Sequence, residues 1–130
     1  TQPPVFFEGF KGFLPVDFLS TTGGEAQRVF YYTEDGGETW IPRPPIARGP
    51  AFQFLDALTG WAWTGRQLLY TADGALTWTP IAVPFPARET VTCIDFIDTQ
   101  NGWLITVDDR SRVRLYRTSD AGSTWLVIIP

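Results

Sequence analysis

The sequence predicts an all-β chain of three consecutive four-stranded antiparallel units, twelve strands in all, and three observations carry that reading. Aromatics reach 15%, with six Trp, ten Phe and four Tyr, and twelve Gly and eleven Pro punctuate them. Aromatic runs broken by Gly and Pro are the composition of many short strands rather than of helices. An eight-residue turn pattern occurs three times, and a second pattern precedes each copy in fixed order.

The turn pattern is Thr-x-Asp-x-Gly-x-Thr-Trp. Its first copy carries Thr33, Asp35, Gly37, Thr39 and Trp40. The second carries Thr71, Asp73, Thr77 and Trp78, and the third Thr118, Asp120, Gly122, Thr124 and Trp125. A short Asp can accept bonds from N–H groups a few residues on and so close a turn. Gly takes the positive-φ position that a side chain resists. The second Thr can bond within the turn, and the Trp offers a large apolar face to a neighbouring sheet. Only the middle copy departs, with Ala75 in the Gly place. There Gly74 is expected to take over the positive-φ role through a shifted turn.

The preceding pattern is Phe6-x-Glu8-x-x-x-Gly12-Phe13, matched by Phe54, Asp56, Gly60 and Trp61 and by Phe96, Asp98, Gly102 and Trp103. The glycines are spaced by 48 and 42 residues and the turn tryptophans by 38 and 47. Such spacing falls in the range of roughly 40 to 50 residues typical of β-propeller blades. The blades are expected at about 1–46, 47–86 and 87–130. First strands are expected at Val5–Glu8, Ala51–Asp56 and Val91–Ile97, and second strands at Gly12–Leu19, Gly60–Thr64 and Gly102–Val107. Third strands run into the turns at Arg28–Thr33, Gln67–Thr71 and Arg112–Thr118. Fourth strands hold the Trp, at Thr39–Pro42, Thr77–Val83 and Thr124–Ile129. Proline-rich joints at Pro42–Pro50 and Pro80–Pro86 suit strand ends, because Pro cannot donate to a ladder.

Composition narrows the function. Net charge is −4, which argues against nucleic acid held on a broad basic surface. With no His there is no Ser-His-Asp or Cys-His machinery and no His-ligated metal. The single Cys93 excludes an internal disulfide, and its apolar run Val91–Ile94 predicts a buried thiol. No apolar stretch approaches the roughly 18 residues of a membrane-spanning helix, so no membrane insertion is expected. The chain has no Met, even at position 1, so Thr1 is expected to follow processing or trimming.

The turn patterns resemble the BNR or Asp-box repeat proteins, which include sialidases, sortilin-type receptor domains, xyloglucan-degrading hydrolases and photosystem II assembly factor-like propellers. The Phe-x-Asp-x-x-x-Gly-Trp element, followed by Leu69-Tyr70-Thr71-Ala72-Asp73 or Leu115-Tyr116-Arg117-Thr118, is most similar to the last of these. This resemblance implies a propeller whose Asp boxes are folding elements remote from the ligand site. It also implies a scaffold or assembly role with a protein partner, no cofactor, and an extracytoplasmic location (periplasmic, secreted or lumenal). The alternative it leaves open is a set of blades from a secreted glycoside hydrolase whose catalytic residues lie elsewhere.

Among residues that could act, glycoside hydrolysis needs two carboxylates about 5–10 Å apart in a cleft. Asp35, Asp73 and Asp120 recur once per blade, as do Glu8, Asp56 and Asp98, and repetition marks architecture. Asp108 and Asp109 read as exposed hairpin residues. The arginine cluster and Tyr–Glu pair that a sialidase requires do not map onto the sequence, and no catalytic residue or metal ligand is assigned. The segment with Arg110, Arg112, Arg114 and Arg117 is the one local departure from the acidic average. It reads first as a solvated sheet edge balanced by Asp108 and Asp109, with a docking patch for an acidic partner as the alternative. Alternation puts Arg112, Arg114 and Tyr116 on one strand face and Val113 and Leu115 on the other. Three blades leave two apolar faces open, to be covered by further blades in cis or by a second copy of the chain forming a six-bladed ring.

Overall fold

The computed structural model describes residues 4–7, 9–18, 26–86 and 88–129. Glu8 and Leu19, expected at strand ends, lie outside the described residues. Three antiparallel sheets follow one another along the chain, each an up-and-down meander in sequence order. Sheet 1 holds β1 (Val5–Phe7), β2 (Lys11–Phe18), β3 (Gln27–Thr33), β4 (Ile41–Pro42) and β5 (Ile46–Ala47). Sheet 2 holds β6 (Ala51–Phe54), β7 (Gly60–Trp63), β8 (Leu68–Thr71) and β9 (Thr79–Ile81). Sheet 3 holds β10 (Thr90–Phe96), β11 (Gly102–Val107), β12 (Val113–Thr118) and β13 (Leu126–Ile129).

The extra strand has a simple cause. Both β4 and β5 pair with β3, the first at Tyr31 and Tyr32 and the second at Gln27 and Arg28. Arg43 N–H still reaches Phe30 O at 2.9 Å, but Pro44 and Pro45 offer no donor, so the fourth strand is split. The turn tryptophans Trp40, Trp78 and Trp125 stand just ahead of their fourth strands, not inside them as the sequence suggested. The turn still occupies the chain there, and ladder pairing resumes only after it.

Between sheets the core is aromatic. Phe13 stacks on Phe54 with ring centroids 4.1 Å apart and planes 10° from parallel. Trp61 stacks on Phe96 at 3.9 Å and 8°. Phe13, Trp61 and Phe96 are buried, and burying side chains of this size stabilises by roughly 1.5–3 kcal/mol each. A second contact crosses from sheet 2 to sheet 3: Gln53 Nε2 donates to Phe96 O at 3.0 Å, and Phe96 N–H donates to Gln53 Oε1 at 2.7 Å.

Cys93 is exposed, not buried as the apolar run suggested. Ile94 and Phe96 point into the core, so alternation turns Cys93 to the opposite face, while the bulge between Val91 and Cys93 leaves Thr92 exposed and returns Val91 to the core. No helix among the described residues is long and apolar enough to cross a membrane.

Candidate functional site

Because the strands alternate in direction, each sheet has two unlike ends. One carries the acidic turn before the second strand and the Asp-centred turn before the fourth. The other carries the hairpin between second and third strands and the connection to the next sheet.

The Asp-centred turns share one geometry. Asp35 Oδ1 accepts from Thr33 Oγ1 at 2.8 Å and from Thr39 N–H at 2.9 Å, and Oδ2 accepts from Thr39 Oγ1. Thr33 Oγ1 in turn accepts Gly37 N–H at 3.0 Å. Asp73 and Asp120 repeat the set with Thr71 and Thr77 and with Thr118 and Thr124. The Thr39 hydroxyl and N–H, with the Thr33 hydroxyl, bring the Asp35 carboxyl down to about 2. The same kinds of donor lower Asp73 and Asp120. A carboxylate saturated with local donors is a poor proton donor for catalysis.

The middle turn is not shifted. Ala75 N–H bonds Thr71 Oγ1 at 3.0 Å, as Gly37 and Gly122 bond their threonines. Ala75 itself takes φ 70°, and both residues after the Asp are left-handed in every copy. The bonds of the turn outweigh a left-handed strain of about 1–2 kcal/mol in a non-glycine residue. Each turn is also tied to the acidic turn beside it, by Gly36 N–H to Phe10 O, Gly74 N–H to Leu58 O and Ala121 N–H to Gln100 O. Asp56 accepts from the N–H groups of Leu58 and Thr59, and Asp98 from those of Gln100 and Asn101. These carboxylates close turns.

Arginine gathers at the other end. Arg48, Arg66, Arg88, Arg110 and Arg112 stand on its hairpins and connections, and Arg28 and Arg114 at the adjoining ends of β3 and β12; Asp17, Glu89, Asp108 and Asp109 share this end among the described residues. Arg28 Nε holds Asp17 at 2.8 Å, with Arg48 3.6 Å from the same carboxylate. Arg48, Arg66, Arg88, Arg110 and Arg112 are exposed. An open cleft of about 800 Å³ between sheets 1 and 2 is lined by Ala47, Arg48, Thr64, Gly65, Arg66 and Gln67 among others.

The arginine segment of sheet 3 is organised from below by a carboxylate. Asp108 is buried, not the exposed hairpin residue that its sequence context suggested, whereas Asp109 is exposed. Asp108 Oδ1 accepts from Arg110 N–H and Arg112 N–H at 2.9 Å each, and Oδ2 from Arg112 Nε at 2.9 Å and Arg114 at 3.4 Å. The Arg112 N–H, first among these donors, brings its carboxyl down to about 2 against the opposing effect of burial. Arg112 and Arg114 thus share the Asp108 side, while Arg117 lies on the opposite face with its guanidinium 5.6 Å over the Trp103 ring. The four arginines are therefore divided between two surfaces.

One pair escaped the sequence reading. Tyr116 OH donates to Glu89 Oε1 at 2.8 Å, Thr106 Oγ1 donates to the same oxygen at 2.8 Å, and Arg114 lies 3.5 Å from Oε2. A Tyr–Glu pair beside arginine is the set that a sialidase requires. Here Tyr116 and Glu89 are 4% and 3% exposed, which leaves a sugar no access to them. Burial, then the bond to Glu89 and its charge, push the Tyr116 hydroxyl up to about 12. Glu89 has no repeated counterpart, and its partners lie 17 and 27 residues away, so no local pattern announced it.

No family model matches the chain, and no curated protein matches it either. Among solved structures it is similar to one described as YCF48 bound to D1 peptide, with TM-score 0.64, 24% identity and 92% of this chain covered. This is the fold of a β-propeller segment. The three sheets are three blades, and the chain spans 38% of the length of the YCF48 chain it matches. The resemblance to photosystem II assembly factor-like propellers, first read from the turn patterns, thus extends to the fold.

Proposed function

We propose that this chain is a non-enzymatic, protein-binding propeller segment that presents its arginine-rich hairpin end to an acidic partner, as part of the assembly or stabilisation of a larger complex. The observation that carries this reading is the separation of charge. Although the chain is acidic overall, seven of its nine arginines stand at one end, while the repeated aspartates stand at the other, engaged in turns. Such a field steers an acidic partner to one end and repels it from the other. Arg48 and Arg66, both exposed on one cleft, offer planar multi-donor groups suited to carboxylates. A protein of the same fold has been solved with a peptide bound, which makes a peptide segment the natural first ligand to try. An extracytoplasmic setting belongs to this proposal, and an export-reporter fusion to the complete gene product tests it.

The direct experiment is fluorescence anisotropy with a labelled D1 peptide and with acidic and basic peptides of equal length. Saturable binding of an acidic peptide that weakens with salt supports the proposal. Equal binding of the basic peptide contradicts it.

A further inference from the structure

The two junctions between the three blades are built alike but filled differently. At each, the aromatic after the motif glycine, Phe13 or Trp61, stacks on the first-strand Phe of the next blade, with Tyr32 or Tyr70 beside it. Each also meets the next blade's Asp-centred turn, whose first left-handed residue is Gly74 or Ala121. At the first junction Arg43 completes the packing. Its guanidinium lies 4.5 Å over the Tyr32 ring, and its Nε donates to Gly74 O at 2.9 Å. Tyr32 is 7% exposed.

The second junction has Ile81 in the place of Arg43. Both stand three residues beyond the turn Trp, Arg43 bonded to Phe30 and Ile81 paired with the equivalent Leu68. Ile81 turns toward blade 3, so close to Gly122 that an added Cβ there would come within 2.8 Å of it. It has no donor to offer Ala121 O and no charge to lay over Tyr70. Ala72 also stands where blade 1 has Glu34, which bonds the Tyr32 hydroxyl, so a second side chain is missing. What is left is a pocket of about 270 Å³ between Trp61, Tyr70 and Ile81 of blade 2 and Thr99, Gln100 and Ala121 of blade 3. Tyr70 is only half-buried.

The pocket keeps the two groups that Arg43 uses at the first junction, a tyrosine ring face and a turn carbonyl. A Cβ at Gly74 would stand 3.6 Å from the Arg43 guanidinium, an ordinary contact, so the methyl of Ala121 leaves room for such a group. Thr99 and Gln100 follow Asp98 in the chain, and Ala121 follows Asp120. The Asn101 N–H holds Asp98 below the ordinary carboxylate range, and the Thr124 hydroxyl does the same for Asp120, so both are charged at neutral pH. Their field draws a cation to the pocket.

We propose that this pocket binds a guanidinium group supplied from outside the chain, which stacks on Tyr70 and donates to Ala121 O as Arg43 does on Tyr32 and Gly74 O. A planar cation suits it better than an ammonium, because its face covers the ring while its edge donors reach the carbonyl. The pocket lies at the end opposite the arginine cluster, and its ligand is independent of any acidic partner docked there.

Titration of the chain with Nα-acetyl-arginine amide, followed by amide chemical shifts, should saturate and should move the signals of Tyr70, Gln100 and Ala121. Nα-acetyl-lysine amide, of equal charge, should bind at least about fivefold more weakly. Tyr70→Leu should weaken arginine amide binding about fivefold or more. Thr99→Lys, an exposed change that leaves the fold intact by circular dichroism, should weaken it too, by placing a like charge at the mouth. Ile81→Arg should abolish it by filling the pocket from within the chain. A peptide with one central Arg that binds more tightly than the amide assigns the guanidinium to a protein partner's side chain, and equal or weaker binding assigns it to a free guanidino compound. Equal binding of the lysine amide, no saturation by any guanidinium probe at millimolar concentration, or binding indifferent to both Tyr70→Leu and Thr99→Lys overturns the proposal.

Discussion

Replacing Phe96 with Ala should strike the contact that joins blades 2 and 3. Phe96 is 2% exposed, lies 3.9 Å from the Trp61 ring in a near-parallel stack, and meets Trp125 edge-on at 6.2 Å. Truncating a buried Phe costs about 3–5 kcal/mol, a sum of lost transfer energy and residual cavity. The stack itself supplies about 0.5–1.5 kcal/mol of this beyond the buried area. Against a domain stability of about 5–15 kcal/mol the change is large. Urea unfolding followed by Trp fluorescence, at fixed protein concentration, measures it directly, with Ile97→Ala as the control. Ile97 is 62% exposed and adjacent in sequence, so its truncation should stay within about 0.5 kcal/mol. A Phe96→Ala loss below about 1 kcal/mol, or one equal to the control, would refute the stacked junction.

Three further outcomes follow from the turns and the buried cluster. Ala121 is exposed and left-handed at φ 63°, so Ala121→Gly should stabilise by up to about 1 kcal/mol in a thermal melt. Asp35 and Asp108 are both held at about 2, below an unfolded value near 4, so their stabilisation is present above about pH 4 and lost as pH falls toward 2. Tyr116 is raised to about 12, so its contribution is present below about pH 10 and lost as pH climbs from 10 to 12; Tm against pH should show both flanks. Glu89→Ala should cost about 3 kcal/mol or more by chemical denaturation, because it strands the Thr106 and Tyr116 hydroxyls and leaves Arg114 beside Asp108 alone.

The fold was legible because its signals are local and repeated. Thr, Asp and Trp recur within eight residues, and the side chains that close each turn lie two to four places apart. The errors also share a physical origin. Ala75 keeps the common turn because four side-chain bonds fix the backbone whatever residue stands there. Cys93 escapes the core because strand alternation sets it opposite Ile94 and Phe96, and only Val91 is returned to the core by a bulge that composition does not reveal. Asp108 is buried because hairpin backbone and two guanidiniums converge on it, and Glu89 gains its partners only when three strands assemble. The arginine-rich end was half legible: Arg110, Arg112 and Arg114 stood out in sequence together with Arg117, which lies elsewhere, but Arg48 and Arg66 join them only through the alternating direction of the strands.

The central claim, docking at the hairpin end, is tested most directly by charge reversal at the two ends of the blades. The double variant Arg48→Glu and Arg66→Glu should weaken binding of an acidic peptide by at least about tenfold in low salt, while Lys11→Glu at the opposite end should leave it unchanged. Equal loss from both variants, or none from the arginine pair, would contradict the account.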